Sequence, residues 1–207
     1  FVVDGRRFKA LHRLMVTSAA YRQSALRPES EVEAALLIDP ANKLLWKRPV
    51  HRLEAEAIRD AMLAVTGELT PARGGPPVDA ASSPRRSVDC KVIRNKRDAV
   101  LDAFDAPDAF NSAGSRNTTT TVTQTLLLIN GPWALERAKA LAARLTREAP
   151  ETPRDRIALA YRLTLGRAPD DDEAAAGEEF LRRGDAKQAI VDYCHVLLNS
   201  SQFLYVD

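Results

Sequence analysis

The spacing of apolar residues predicts helices along most of the first third of the chain. Apolar positions recur at intervals of three and four over residues 6–24, 29–38 and 53–65, which is the period of one helix face. Asp39 precedes a proline and should end the second helix, because a residue before proline avoids the helical conformation. Gly67 stands where a left-handed residue commonly ends a helix. We therefore expect three helices here.

The second half carries clearer helix boundaries. A short turn of helix is expected at residues 98–104, and residues 122–129 form an apolar helical segment. Pro132 then opens a further helix at a position where its missing N–H is tolerated. Other boundaries are marked by capping or helix-ending residues: Thr152-Pro153, Gly166, Asp170 with Glu173, and Asp185.

Between these two helical regions the pattern changes. Residues 68–86 contain four prolines together with Gly74 and Gly75, which predicts an exposed loop. Apolar and polar residues alternate over residues 88–92, and this alternation predicts a strand. The expected fold is mainly α: one helical domain over residues 1–207, built as an orthogonal multi-helix bundle with a minor β element near residues 87–94.

Composition excludes several classes of protein. With 45% hydrophobic and 28% charged residues, the chain has the composition of a folded globular protein. No apolar run approaches the ~20 residues that span a bilayer. Cys90 and Cys194 are too few for a disulfide-rich scaffold or a cysteine-only zinc site, and no Cys-x-x-Cys-His haem motif is present. We expect no metal, no cofactor and no membrane span.

Charge is balanced overall, at a formal +2, but it is divided unevenly along the chain. Residues 1–97 carry a net +7 and residues 98–207 a net −5. This division fits a basic surface for an anionic partner, or attraction between the two halves. The basic run from Arg85 to Arg97 lacks the interleaved aromatic residues on which bases stack, so nucleic-acid binding is not expected.

Four charged residues, Arg52, Glu56, Arg59 and Asp60, fall at helical spacing along one predicted helix. Residues three and four apart on a helix are neighbours, so these four side chains are expected to form a ladder of ion pairs. If that side of the helix is exposed, the pairs contribute little to stability. If it is buried, they form a polar network that fixes the fold.

Six separated motifs occur in an order that resembles one known family. The motifs are Lys9–Ser24, Asp39–Trp46, Arg52–Met62, Phe104–Asp108, Tyr161–Pro169 and Cys194–Asp207. Together they resemble a helical domain of unknown function that is typical of planctomycetes. In that family the domain is usually the C-terminal part of large exported proteins that carry a planctomycete-type cytochrome c module upstream. Two positions depart from the family pattern: residues 111–116 lack its cysteine, and Val122 replaces its proline.

The resemblance implies a context for the chain. Phe1 is not an initiator methionine, and the first residues have no signal-peptide pattern. We expect the chain to be part of a larger protein in the periplasm or at the cell surface, with a missing N-terminal portion as one partner. The helix over residues 6–24 should then leave an apolar patch, through which the isolated chain should self-associate.

The segment from Arg116 to Gln124 is the first candidate site. It combines several hydroxyl groups at the start of a helix with one arginine, a planar bidentate donor, and such an arrangement binds anions or sugars. The alternative is that the threonines cap the helix and the arginine holds the neighbouring aspartate loop. The candidate ligand-binding residues are Arg116, Asn117, Thr119, Thr120 and Gln124, and the expected ligand is an anionic glycan.

Asp102, Asp105 and Asp108 are the second candidate site. Carboxylates at intervals of three residues can supply an acid and a base for hydrolysis, or simply stabilise turns. The leading expectation is a non-catalytic structural or ligand-binding accessory module of a larger exported protein, with a glycan or a protein as partner. The alternative is a hydrolytic enzyme domain that acts on polysaccharides through these carboxylates.

Overall fold

A computed structural model, which describes residues 5–72, 74–107, 110 and 115–206, shows a mainly helical chain. Two short strands, β1 (His51–Arg52) and β2 (Tyr205–Val206), form a two-stranded sheet. The mainly α class and its multi-helix packing are therefore confirmed. The helices are α1 (Phe8–Val16), α2 (Glu29–Ile38), α3 (Ala55–Thr66), α4 (Ala99–Ala103), α5 (Val122–Asn130), α6 (Pro132–Glu148), α7 (Pro153–Leu165), α8 (Asp171–Leu181), α9 (Ala186–Asn199) and α10 (Ser201–Leu204).

The chain divides into two compact units, residues 1–51 with 205–207, and residues 52–204. The second unit contains an apolar core in which α6 packs against α3, α5 and α9, and α7 packs against α8. Leu141, Leu145 and Ile157 are fully buried in that core. Along the described part of the chain, no helix is long and apolar enough to cross a bilayer.

Most helix boundaries predicted from the sequence are confirmed. Gly67 and Gly166 take φ values of +79° and +69° at the ends of α3 and α7, in the left-handed region that glycine enters without steric cost. Asp170 accepts a hydrogen bond from the N–H of Glu173 at 2.8 Å, and the Glu173 carboxylate accepts one from the N–H of Asp170 at 2.9 Å. This reciprocal pair is a capping box.

One predicted helix is shorter than expected. The segment at residues 6–24 is an α-helix only over Phe8–Val16. The hydroxyls of Thr17 and Ser18 donate hydrogen bonds to the carbonyls of Arg13 and Met15, each at 2.7 Å. Such local bonds from side chain to backbone compete with helix continuation, so α1 ends where they begin.

The prediction of a strand near residues 87–94 is wrong. Ser87–Asp89 is a single 3₁₀ turn, and pairing nearby is limited to isolated bridges, one of them between Val78 and Cys90. Ser87 and Cys90 are buried, whereas Val88 is exposed. Residues three apart lie on the same side of a 3₁₀ helix, so this burial follows the turn. The alternating sequence did not reflect a two-faced strand.

The side chain of Arg59 fastens the 68–86 loop to α3. Its side chain is only 1% exposed. Nε and Nη2 donate to the Ala80 carbonyl at 3.0 and 2.8 Å, and Nη2 also donates to the Ser83 carbonyl at 2.6 Å. Nη1 donates to the carbonyl of Arg85 at 2.9 Å. A single guanidinium therefore satisfies three backbone carbonyls of a segment with little regular structure of its own.

Asp60 completes this network beside Arg59. Its Oδ1 accepts hydrogen bonds from the Ser87 N–H at 2.8 Å and from the Ser87 hydroxyl at 2.7 Å, and lies 3.4 Å from Arg59 Nη1. The expected ladder between adjacent turns does not form among the described residues, since Arg59 pairs with its immediate neighbour Asp60. Arg52 belongs to β1, and both it and Glu56 pair with residues distant in sequence.

Replacement of Arg59 by methionine tests the buried network. The Arg59→Met variant keeps the length of the side chain but leaves three backbone carbonyls without their donor and removes the buried one of the two cations beside Asp60. We expect a loss of about 3–5 kcal/mol in the free energy of unfolding, measured by urea denaturation. The matched control is Arg86→Met, which removes a 63% exposed partner of the same Asp60 and should cost less than about 1 kcal/mol. Equal losses in the two variants would contradict the role assigned to Arg59.

The two cysteines supply a second test. Cys90 and Cys194 are both free and buried, and burial raises the pKa of the Cys194 thiol to about 12. Because the thiolate is the reactive form, Cys194 should resist a thiol reagent in the folded protein and react on unfolding. The Cys90→Ala variant leaves Cys194 as the single thiol and isolates its signal. If the unfolded, unreduced wild-type protein has no titratable thiol, the two cysteines are paired.

Candidate functional site

Arg116, the central residue of the first candidate site, is already bound to a carboxylate of the same chain. Its Nη1 donates to Glu56 Oε1 and Oε2 at 3.1 and 3.2 Å, and its Nη2 donates to Oε1 at 3.1 Å. A second carboxylate, on Glu54, lies 3.9 Å from Nη2. The sequence predicted that the Arg116 guanidinium would bind an anionic ligand. In the structure it binds the Glu56 carboxylate in the N-terminal turn of α3.

Thr119 and Gln124 are likewise hydrogen-bonded to other residues of the same chain. The N–H of Thr119 donates to Asp105 Oδ2 at 2.8 Å, and its hydroxyl donates to Oδ1 at 2.8 Å. Gln124 is buried, donates from Nε2 to the Thr119 hydroxyl oxygen at 3.3 Å, and accepts from the N–H of Thr121 at 3.2 Å. The start of α5 is thus a capping box joined to the carboxylate of Asp105.

The Asp105 carboxylate in turn pairs with the buried, positively charged side chain of Arg52. Its Oδ2 accepts a hydrogen bond of 2.6 Å from Nη2 of Arg52, a side chain that is 5% exposed. The Arg52 guanidinium lies 5.4 Å from the centre of the Phe104 ring, and its Nε and Nη1 have no hydrogen-bond partner within the described residues. Asp105 is therefore the one carboxylate partner of this cation, among those residues.

The environment of Asp105 favours its ionised form. Burial of the carboxyl group opposes ionisation, but the hydrogen bonds from the N–H and hydroxyl of Thr119 and from Arg52 outweigh it and lower the pKa. Asp105 also has φ +65°, a left-handed conformation that aspartate tolerates better than most residues. A carboxylate held in this way is a poor general acid at neutral pH.

A cavity of about 200 Å³ lies between the first turn of α3, residues 87–97 and α4, and Asp102 lines it. Asp102 forms an ion pair with Arg97, which also donates to the carbonyl of Ala106 at 2.9 Å. Glu56 lines the same cavity and is bound to Arg116. Each of these two carboxylates is therefore paired with an arginine.

Three predicted site residues remain: Asn117, Thr120 and Asp108. Asn117 and Thr120 are exposed, and Asp108 lies outside the described residues. Sequence reasoning missed Glu56 and Arg52 as partners of the candidate site. Glu56 precedes Arg116 by 60 residues, and no local pattern in the sequence links the two. Among the described side chains, no group of three or more His, Cys, Asp and Glu could hold a metal ion.

Comparison with known proteins places the chain in a family context. Residues 1–181 match the model of a family described as "Protein of unknown function (DUF1553)". The match ends with α8, before α9 and α10. No curated protein and no solved structure matches the chain. The expected domain of unknown function is confirmed, while the planctomycete origin and the cytochrome c module remain predictions.

Substitution of Asp105 by asparagine tests the centre of this network. The Asp105→Asn variant keeps the side-chain shape and tolerates the left-handed backbone, but it leaves Arg52 buried without a counter-charge. We expect a loss of about 3 kcal/mol in the free energy of unfolding at pH 7. The control, Asp102→Asn, breaks an ion pair whose partners are 40% and 42% exposed and should cost less than about 1 kcal/mol.

The effect of Asp105→Asn should also depend on pH. Because the folded-state pKa of Asp105 is lowered, its stabilisation is complete above the unfolded-state pKa of about 3.9 and is lost as pH falls through the folded value. The stability difference between wild type and variant should be constant near neutral pH and shrink below about pH 4. A difference that is unchanged in strong acid would show that charge is not its source.

Proposed function

We propose that the chain, which belongs to the DUF1553 family of proteins of unknown function, acts as a non-catalytic structural accessory module. The observation that carries the proposal is the pairing of Arg116 with Glu56 and of Thr119 with Asp105. A ligand site keeps its strongest donors available for the ligand. In this segment they are bound to carboxylates of the chain itself, so the segment acts as an internal brace.

The brace has a clear physical purpose. Residues 115–121 precede α5 without regular secondary structure, and they would be costly to order if only the backbone held them. The contacts of Arg116 and Thr119 tie this stretch to the start of α3 and to Asp105, the second residue after α4. They therefore set the position of α5, which packs against α4, α6 and α9.

The proposal includes a context for this module. We infer that it is part of a larger exported protein, located in the periplasm or at the cell surface, and that an N-terminal portion of the same protein is one of its partners. The support for this context is the resemblance of the six ordered motifs described above. An accessory role agrees with a chain in which both described candidate carboxylates, Asp102 and Asp105, are bound to arginines.

Binding of an anionic glycan by the same segment is the second candidate function. The exposed side chain of Asn117, next to Arg116 in sequence, supports it. An anionic sugar would need to replace the Glu56 carboxylate on Arg116, so binding would open the brace. The hydrolytic alternative gains no such support, because neither Asp102 nor Asp105 is left without an arginine partner.

The Arg116→Ala variant separates the brace from the glycan site. For a brace, we expect the melting temperature to fall by about 2–4 °C, which corresponds to about 1 kcal/mol in a chain of this size. In the double variant with Glu56→Ala, the two losses should be less than additive, since each removes the same contact. Arg154→Ala is the control, because Arg154 is 64% exposed and its nearest ion pairs are looser, at 3.5 and 3.6 Å.

Glycan binding is measured on the same proteins. An array of sulfated and carboxylated glycans, probed with wild type and Arg116→Ala, should give no difference if the segment is a brace. The proposal is overturned if wild type binds such a glycan, Arg116→Ala abolishes the binding, and the melting temperature is unchanged.

A further inference from the structure

The loop that follows α2 begins with an Asp–Pro peptide bond, Asp39–Pro40, the single bond of this type in the sequence. The carboxyl group of an aspartate is linked to its own peptide carbonyl carbon through Cβ and Cα, so attack on that carbon closes a small ring. A nucleophile and an electrophile held in one unit react far faster than two separate molecules. The nitrogen beyond this carbonyl belongs to proline and carries no hydrogen, so no hydrogen bond from it has to break.

Two hydrogen-bond donors meet at the carbonyl oxygen of Asp39. The indole Nε1–H of Trp46 donates to this oxygen at 3.0 Å, and the N–H of Asn42 donates to it at 3.1 Å. Attack on the carbonyl carbon would place a negative charge on the same oxygen. Two donors at this distance form the arrangement of an oxyanion hole, in which the loss of one donor commonly slows a reaction by about 10²–10³-fold.

The loop itself holds these donors in place. Asn42 donates from Nδ2 to the Lys47 carbonyl at 2.8 Å and accepts from the Lys47 N–H at 3.3 Å. The Lys47 ammonium lies 4.8 Å from the centre of the Trp46 ring, a cation–π contact that helps to fix the indole. Leu45 has φ +55°, a conformation that is rare for leucine and persists only where the surrounding contacts enforce it. The position of the indole is therefore set by several contacts at once.

The Asp39 carboxylate is buried and is oriented through one of its two oxygens. Asp39 is 8% exposed, and its Oδ2 accepts a hydrogen bond from the N–H of Leu44 at 2.6 Å. Among the described residues, none donates a hydrogen bond to Oδ1 and no basic side chain forms an ion pair with Asp39. An oxygen that is shielded from water and has no donor is a better nucleophile than a solvated one. Pro40, in contrast, is exposed, so water reaches the other side of the bond.

We propose that the chain cuts itself at the Asp39–Pro40 bond. The Asp39 carboxylate attacks its own carbonyl carbon: the Oδ1–C bond forms, the C–N bond to Pro40 breaks, and the proline nitrogen takes a proton from water. This step leaves a cyclic anhydride at Asp39 and a hydroxide ion. The hydroxide then adds to the anhydride and opens it to one carboxylate and one carboxylic acid. One water is consumed in total, and the reaction needs no oxidant, reductant or cofactor.

The cut falls at the end of α2, inside the first compact unit. The helices α1 and α2 would lose their covalent link to residues 52–204, which form the second unit. A single cut of the chain by itself involves no turnover of a substrate, so it is compatible with the non-catalytic role proposed above. It does not rest on the brace formed by Arg116, which belongs to the other unit, and either proposal can fail without the other.

The first test compares folded and unfolded wild type by mass spectrometry of the intact protein at neutral pH. The folded 207-residue chain should yield fragments 1–39 and 40–207 over days, with first-order kinetics that do not depend on protein concentration. In urea the same bond lacks its donors, and the cut should be at least about tenfold slower. Hydroxylamine added to the folded protein should trap the anhydride as a hydroxamate at Asp39.

Substitutions test the assigned roles. Trp46→Phe removes the indole donor but keeps an aromatic ring, and it should slow the cut at least about tenfold. Trp133→Phe is the matched control, since it makes the same change in α6 of the second unit and should leave the rate unchanged. Asp39→Asn keeps the side-chain shape and an oxygen for the Leu44 N–H, but it removes the carboxylate and should give no fragments. Circular dichroism of each variant should match wild type.

Three outcomes would overturn the proposal. Folded wild type stays intact, or Trp46→Phe and Trp133→Phe are cut equally fast, or the folded and urea-unfolded chains are cut at the same rate. The last outcome would show that the hydrogen bonds to Asp39 serve only to end α2. The comparison in urea uses wild type alone, so it decides the proposal even where Trp46→Phe fails to fold.

Discussion

The second compact unit depends on a buried positive charge whose hydrogen-bond donors face backbone carbonyls. A loop without regular structure has carbonyls that need donors, and the 68–86 loop meets this need through Arg59. The arrangement is demanding, since a buried guanidinium is stable only when its partners are all in place. Asp60 supplies the counter-charge and also holds Ser87. The loop, the 3₁₀ turn and α3 therefore depend on one another.

The position of α3 then fixes the candidate site. At its C-terminal end, Arg144 of α6 donates to the carbonyls of Ala64 and Val65 at 3.2 and 2.8 Å. At its N-terminal end, Glu56 binds Arg116. A helix fixed at both ends and along one side gives the brace a rigid partner. The brace would not select a position for α5 if α3 were free to move.

Several arginines of the second unit hold other segments in place through hydrogen bonds to carbonyl or carboxylate oxygens. Its planar guanidinium has five donors in a fixed fork, so one side chain can satisfy several carbonyls or both oxygens of a carboxylate. Arg59, Arg116 and Arg144 each use that property, and Arg52 and Arg97 pair with the two described candidate carboxylates. The sequence excess of arginine over lysine, 23 to 7, thus has structural uses that require no external anion.

The sequence alone determined the features that arise within a few residues. The left-handed ends at Gly67 and Gly166 and the capping box of Asp170 and Glu173 could be predicted because each involves neighbours along the chain. The same holds for the mainly α class, which follows from the spacing of apolar residues. The segment near residues 87–94 could not be judged in this way, because an alternation of only five residues also fits a turn that packs against α3.

The tertiary structure decided what the charged residues do. From the sequence, Arg116 could bind either a ligand or a neighbouring loop. Its partner in the structure is Glu56, which lies 60 residues earlier. Arg52 and Asp105 are similarly distant, since their positions differ by 53. The two charges of an ion pair must lie within a few ångströms of each other, but they can be separated by any number of residues along the chain. Pairing of this kind leaves no periodic trace in a sequence, so only the fold shows which charges are already satisfied.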